Sequence, residues 1–269
     1  LIYQAPEDWQ ALVEIIDRKK SKELITQLKA SHHYHNILLD HASAKSREKV
    51  SITDLKHAIN LIGSNNLRPV LTHAMIDTML QNKLSINSEV INYKINLYRL
   101  IFESIAVKHD IDQPESLSVI TKLLFLSLIT IPKAEFSAAK QSNHIDYKTF
   151  HKRLTENENE INLSDLYQIS ERQVWQKIAT QLSRSWLLTK SQQLIIKKYF
   201  DLLNQKVPFQ QLTRLEQNIF YVLSLTTKTF AYLTCTTKCT DEQAINGWSI
   251  DQETIDAITK ETKILSTLG

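Results

Sequence analysis

The sequence predicts an all-α protein. Only 3 of its 269 residues are glycine and 5 are proline, so few residues favour turns. Apolar residues recur at helical spacing along most of the chain, and no segment of the sequence shows the alternating pattern that is typical of a half-buried strand. These observations predict about a dozen helices joined by short polar loops, without an internal repeat.

The predicted helices form two groups. The first group occupies residues 1–86, with helices predicted at 7–17, 21–29, 32–42, 51–63 and 66–82. The second group occupies residues 87–269, with helices predicted at 87–108, 112–131, 170–188, 190–204, 211–234 and 251–266. Helix starts are predicted at Ser191, Asp241 and Asp251. Within the second group, residues 133–165 are rich in Asn, Glu and Lys and predict a loosely ordered polar connection.

Two helices show their buried faces clearly in the sequence. In the first predicted helix, the residues expected to point inward are Trp9, Leu12, Val13 and Ile16. In the long helix at 87–108, the apolar stripe consists of Val90, Ile91, Ile95, Tyr98, Phe102 and Ile105. Both stripes predict helices that bury one side against other helices.

The segment Ser51–Leu80 predicts two helices separated by a single glycine. The first helix has its apolar residues at Leu55, Ala58, Ile59 and Ile62. Gly63 follows where a residue with positive φ commonly ends a helix. Asn66 is expected to cap the second helix, and Pro69 then falls in its first turn, where a missing N–H is tolerated.

Composition excludes several classes of function. Three glycines are too few for a phosphate-binding loop or a dinucleotide fingerprint. The net charge is only +3, and the basic residues are spread along the chain, so nucleic-acid binding is not expected. The longest apolar run, Leu123–Ile131, is shorter than the roughly 20 residues that a membrane span requires. The chain begins at Leu1 rather than Met, so we expect an upstream start with room for a sensor or receiver domain.

Cys235 and Cys239 are the two cysteines of the chain. Their spacing places both on one face of a helix, where a disulfide within a single turn has poor geometry. A structural zinc site needs four ligands, and the sequence offers no second Cys or His pair nearby. The pair is therefore interpreted as two reduced thiols, as in a cytosolic protein.

The densest group of potential metal ligands is His32, His33 and His35, followed by Asp40 and His41. Three imidazoles this close in sequence are able to bind a metal ion. A helix, however, turns His33 away from His32 and His35, and the spacing fixes no carboxylate partner. The favoured interpretation is a set of surface or half-buried histidines.

A literal His-Asp pair occurs at His109–Asp110, with His73 upstream and Asp146 downstream. The pair is predicted to lie in the turn after a long helix, where polar residues are common. His144 and Asp146 fall in the predicted polar connection. Metal binding at either place is the less favoured interpretation.

Nucleophilic catalysis and base stacking are also disfavoured. No serine lies in a glycine elbow, and no histidine is positioned by sequence beside a cysteine. Trp9, Trp175, Trp186 and Trp248 occur at helical core positions, so they are predicted to be core anchors and not a stacking platform. The basic runs Arg18–Lys20 and Lys197–Lys198 are short enough to be solvated helix faces.

Two segments of the first group resemble the HDOD domains, regulatory relatives of the HD phosphohydrolases. Ile25–Ser43 resembles the family segment that carries a Leu-Leu pair, which Leu38 and Leu39 match. The Asp-Pro of that segment is absent, and Ser31–His32 lies in its region. Asp54–Gly63 resembles the helix that ends with Ala-Ile-x-x-Leu-Gly.

Three segments of the second group resemble the HD-like half of these domains. Residues 91–110 look like its first long helix, and residues 122–132 look like the segment Gly-Leu-Leu-His-Asp-Ile-Gly. Ser183–Phe200 resembles the family's C-terminal Trp-x-Leu segment, with Trp186 at the tryptophan position.

The metal ligands of the active relatives are not matched. Phe125–Leu126 stands where those enzymes have His-Asp, and Tyr199–Phe200 stands where they have His-His. The histidine region of the first long helix reads Asn92–Asn96 and contains no histidine. The resemblance therefore implies that no catalytic, metal-binding or cofactor-binding residues remain.

The resemblance implies an all-α, HDOD-like and HD-domain-like fold in two packed helical subdomains, 1–86 and 87–269. It also implies that the protein is not an enzyme. It is expected to be a bacterial, cytoplasmic signal-transduction module that binds a protein partner or a ligand, with no cofactor. A divergent metal-dependent phosphohydrolase and a nucleic-acid-binding regulator are the alternatives.

Overall fold

The computed structural model of the protein describes residues 5–18, 21–46, 51–83, 88–130 and 172–234. These residues form ten α-helices and one 3-10 turn and contain no strand, which confirms the all-α class. Other predicted features lie outside the described residues: the polar connection, the helix at 251–266, the starts at Asp241 and Asp251, both cysteines, His144, Asp146 and Trp248.

Every helix predicted within these residues is present, with ends that differ by a few residues. In the first group the helices are α1 (Trp9–Asp17), α2 (Ser21–Ala30), α3 (His32–Lys45), α4 (Leu55–Ile62) and α5 (Leu67–Lys83). In the second group they are α6 (Ser88–Lys108), α7 (Pro114–Ile129), α8 (Arg172–Ser185), α9 (Lys190–Leu203) and α10 (Arg214–Thr234). The 3-10 turn, Phe209–Gln211, precedes α10.

The chain divides into two compact units. The first unit consists of Leu1–Met79 and Arg184–Leu188, and the second consists of Leu80–Ser183 and Thr189–Gly269. The sequence suggested a boundary at 86/87 and assigned residues 184–188 to the second group. The structure adds this short segment to the first unit because Trp186 is fully buried beside Trp9.

The core of the first unit is built around α1. Its predicted inward residues Trp9, Leu12, Val13 and Ile16 are all buried. The ring of Trp9 lies 6.4 Å from that of Tyr34 on α3. Helix α2, which lies between α1 and α3 in the chain, packs against both. The Tyr34 hydroxyl donates to Asp8 Oδ1 at 2.9 Å. Burial, together with this bond to a carboxylate, raises the pKa of Tyr34 far above its usual range.

The junction between α4 and α5 depends on Gly63. Asp54 caps α4 by accepting a hydrogen bond from His57 N at 2.8 Å. Gly63 then has φ 81° and ψ 143°, a conformation that glycine alone adopts readily. The Asn66 side chain amide donates back to Ile62 O at 3.2 Å and so closes the end of α4. The predicted cap of α5 by Asn66 stays a prediction.

In the second unit, α6 packs against both α7 and α10, and α9 packs against α7. The described stripe residues of α6 are buried, namely Ile91, Ile95, Tyr98, Phe102 and Ile105. The start of α9 differs from the expected Ser191, since Thr189 and Gln192 form a reciprocal capping box. Gln192 Nε2 also donates to Ser116 O at 2.6 Å, which ties α9 to the first turn of α7.

Replacing Gly63 with Ala should lower the free energy of unfolding by about 1–3 kcal/mol. A Cβ at this position meets no atom within 4 Å, so the loss comes from the backbone conformation and not from a clash. Gly63→Asn should be nearly as destabilising, because Asn is tolerated at positive φ mainly in the left-handed helical region, where ψ is about 47°. Urea unfolding of both variants measures the change in the free energy of unfolding. If Gly63→Asn is as stable as the wild type, residue 63 does not have the ψ value of 143°.

Candidate functional site

The resemblance directs attention to two pairs of side chains inside the second unit, Phe125–Leu126 and Tyr199–Phe200. All four side chains are buried, with exposed fractions of 2%, 0%, 6% and 0% in that order. Phe125 and Leu126 lie in the middle of α7, and Tyr199 and Phe200 lie near the end of α9. Their ring contacts show what surrounds the positions that the resemblance aligns with metal ligands.

Phe125 belongs to an aromatic cluster with Tyr98 of α6 and Phe230 of α10. The ring centroids lie 6.1 Å apart for Phe125–Tyr98 and for Phe125–Phe230, and 5.5 Å apart for Tyr98–Phe230. The Tyr98 hydroxyl lies 3.0 Å from Thr227 Oγ1. Because Thr227 donates its own proton to Leu223 O, it accepts from Tyr98. This cluster, the Phe125 cluster, joins three helices through edge-on packing.

Tyr199 and Phe200 belong to a second aromatic cluster around Trp175 of α8. The Trp175 ring lies edge-on to Phe200 at 4.9 Å and to Tyr199 at 6.3 Å. Tyr199 also contacts Phe220 of α10 at 6.0 Å. The indole Nε1 donates to Ser127 Oγ at 2.7 Å and to Leu124 O at 3.2 Å, which fixes α8 on α7. We call this the Trp175 cluster.

The side chains at the aligned positions do not fit a divalent metal ion. Phenylalanine and leucine offer no ligand atom, and metal ions of this class need imidazole and carboxylate ligands. Within the described ranges, no group of three His, Cys, Asp or Glu side chains is arranged to hold a metal. The carboxylate of Glu103 on α6 is already engaged, since Arg99 Nη1 lies 2.8 Å from both its oxygens and Ser118 Oγ donates at 2.6 Å.

Two buried lysines were not anticipated from the sequence. Lys94 of α6 is 4% exposed and Lys122 of α7 is fully buried, and each has an interaction partner. The available signal was the position of Lys122 inside the apolar stretch Val119–Leu126, where a solvated lysine is out of place.

The histidines outside the aligned positions have the surroundings that the favoured interpretation predicted. His109 lies in the turn after α6 and packs edge-on against Tyr221 at 5.5 Å, next to the exposed Asp110. His32 and His33 are exposed, and His35 is half-buried. These exposures agree with the surface or half-buried positions expected for these histidines, and the absence of metal binding there stays a prediction. The core interpretation of the described tryptophans Trp9, Trp175 and Trp186 is confirmed.

Comparison with known proteins gives no family for the chain. No protein-family model, no curated protein and no solved structure matches it. Among the described helices, none combines the length and apolar character needed to cross a membrane.

Truncation of Phe125 should be costly because the Phe125 cluster is core. Phe125→Ala should lower the free energy of unfolding by about 3–5 kcal/mol, since it removes a ring that contacts two helices. Val107→Ala on α6 is the matched control, because Val107 is 61% exposed and its truncation should change stability by less than about 0.5 kcal/mol. Urea denaturation of both variants measures the difference. Equal stabilities would mean that the ring is not part of a packed interior.

An acidic group at the start of α10 makes the second unit sensitive to low pH. Lys198 Nζ lies 2.6 Å from Glu216 Oε1, and Thr213 N donates to Glu216 Oε2 at 2.9 Å. Burial by itself raises the pKa of Glu216, but the bonds from Lys198 and Thr213 outweigh it, so the net pKa is lowered.

The lowered pKa fixes the direction of the pH dependence. The stabilisation by Glu216 is complete above the ordinary carboxyl pKa of 4.5 and is lost as the pH falls through the lower folded-state value. Between about pH 6 and pH 3, the wild type should therefore lose more stability than Glu216→Gln, which cannot ionise. Thermal unfolding of the two proteins across this range is the measurement. Parallel pH profiles would contradict the assignment.

Proposed function

We propose that this chain is a non-catalytic, HDOD-like regulatory module that acts by binding a protein partner or a ligand in a signalling pathway. The observation that carries the proposal is the burial of Phe125 and Phe200 in aromatic clusters, at positions that the resemblance aligns with the metal ligands of active HD enzymes. A phosphohydrolase of that class depends on a metal to activate water and to offset phosphate charge. Side chains without ligand atoms supply neither.

The buried lysines support the same proposal. Lys94 and Lys122 are buried on α6 and α7, the two helices that carry the aligned histidine region and the aligned His-Asp position, and lysine is not among the imidazole and carboxylate ligands that such a metal needs. A protein that had kept a metal in this interior would need imidazole or carboxylate ligands there. The role proposed for this chain is therefore recognition, with its helices as the scaffold.

The setting of the module follows from the resemblance. We propose that it works in the cytoplasm of a bacterium and that a receiver or sensor supplies its input signal. A protein partner is favoured over nucleic acid, because the net charge of +3 includes no clustered basic run of the kind that nucleic-acid-binding domains carry.

The test is a metal and turnover measurement on the full chain. The protein is stripped with a chelator, reloaded separately with manganese, iron, magnesium or zinc, analysed for metal, and assayed on a generic phosphodiester and on nucleotides. We expect metal well below one equivalent and turnover equal to that of buffer.

A variant in which His32, His33 and His35 are all alanine is the matched control. Metal that disappears in this variant is bound at the surface of α3, outside the second unit. A stoichiometric metal that persists in the variant, and whose removal abolishes turnover, would show that the chain is an enzyme.

A further inference from the structure

The short segment Arg184–Leu188 comprises the last two residues of α8 and the turn before α9. It belongs to the first unit, although the rest of α8 and all of α9 belong to the second unit. We call this segment the strap. The chain leaves the second unit after Ser183, contributes the buried side chains of Trp186 and Leu188 to the first unit, and returns at Thr189. Because the strap joins the first unit from a distant part of the chain, we ask whether it can leave the core of that unit while the second unit stays folded.

Three contacts hold the strap in the first unit. The Trp186 ring is fully buried and lies edge-on to Trp9, with centroids 6.1 Å apart. The indole Nε1 of Trp9 donates to Trp186 O at 3.1 Å in a buried hydrogen bond. Ser185 Oγ accepts a hydrogen bond from Ala5 N at 3.2 Å. The strap thus contacts α1 and the residues just before it, through one large ring and two polar bonds.

The backbone of the strap is strained beside its anchor. Leu187 has φ 53°, which places a branched, non-glycine residue in the left-handed region. Its N–H donates to Arg184 O at 3.0 Å and so completes the turn that ends α8. Such a conformation persists only where the surrounding contacts fix it, and here the burial of Trp186 does so.

We propose that the strap is a clasp: its release and the opening of α1 are a single cooperative event, separate from the unfolding of the second unit. Docking of Trp186 completes the core around Trp9, so α1 loses its largest buried neighbour when the strap leaves. A binding partner that prefers the released form would open the first unit by shifting this equilibrium. The proposal does not depend on whether the protein is an enzyme.

Residue-resolved hydrogen exchange of the full chain tests the proposal. Amides of the strap should exchange together with those of α1, with a similar opening equilibrium. They should not follow the amides of α9 or those of α8 before Arg184, to which they are covalently joined. Exchange of the strap in step with α8 and α9 would overturn the proposal.

Two serines that lie two residues apart provide matched variants. Ser185→Ala removes the acceptor for Ala5 N, whereas Ser183→Ala removes a hydroxyl that donates to Thr180 O within α8. Loss of one such hydrogen bond should accelerate exchange in the strap and α1 about fivefold for Ser185→Ala. Ser183→Ala should leave those amides unchanged. Equal effects of the two variants on α1 would contradict the clasp.

Two tryptophans provide a stronger pair. Trp9→Phe keeps an aromatic ring but removes the donor to Trp186 O, and it should accelerate exchange of the strap and α1 about tenfold. Trp175→Phe removes the analogous indole donor in the second unit, so the strap and α1 should be unaffected. If Trp9→Phe raises exchange equally throughout both units, the opening is global and the strap is not a separate device.

Discussion

The burial of Trp186 against Trp9 is the interaction on which the first unit depends. The two residues are 177 positions apart, yet the indole of one donates to the carbonyl oxygen of the other inside the core. Helices α6, α7 and α8 all lie between them in the chain. The first unit therefore completes its core only after much of the second unit has been synthesised, and the closure of such a long loop costs entropy that the buried rings must offset.

The second unit is stabilised by aromatic packing at the positions that the resemblance aligns with metal ligands. The Phe125 cluster joins α6, α7 and α10, and the Trp175 cluster joins α8 and α9 to α7 through ring contacts and an indole hydrogen bond. The polar groups near these rings bond largely to backbone carbonyls, as Thr226 and Thr227 do within α10.

Local features were predictable from the sequence, whereas long-range ones were not. Helical periodicity located α1 and α6, and the single glycine at 63 located the junction between α4 and α5. The capping pattern Thr-x-x-Gln at Thr189–Gln192 is present in the sequence, although the start of α9 was predicted at Ser191. The direction of the Asn66 amide, the burial of Lys122 and the docking of the strap depend on tertiary contacts, which no short pattern encodes. For the candidate site, the sequence identified the aligned positions but not their separation into two aromatic clusters.

The central claim is that the interior of the second unit is packed core and does not bind a metal. A metal at a hundred times its Kd would stabilise the folded state by about 2.7 kcal/mol, which corresponds to a rise of several degrees in Tm. Scanning calorimetry of the full chain, in excess chelator and then in manganese, iron, magnesium or zinc, measures this directly. The account predicts the same Tm in every case. A rise of several degrees that persists when His32, His33 and His35 are replaced by alanine would contradict it.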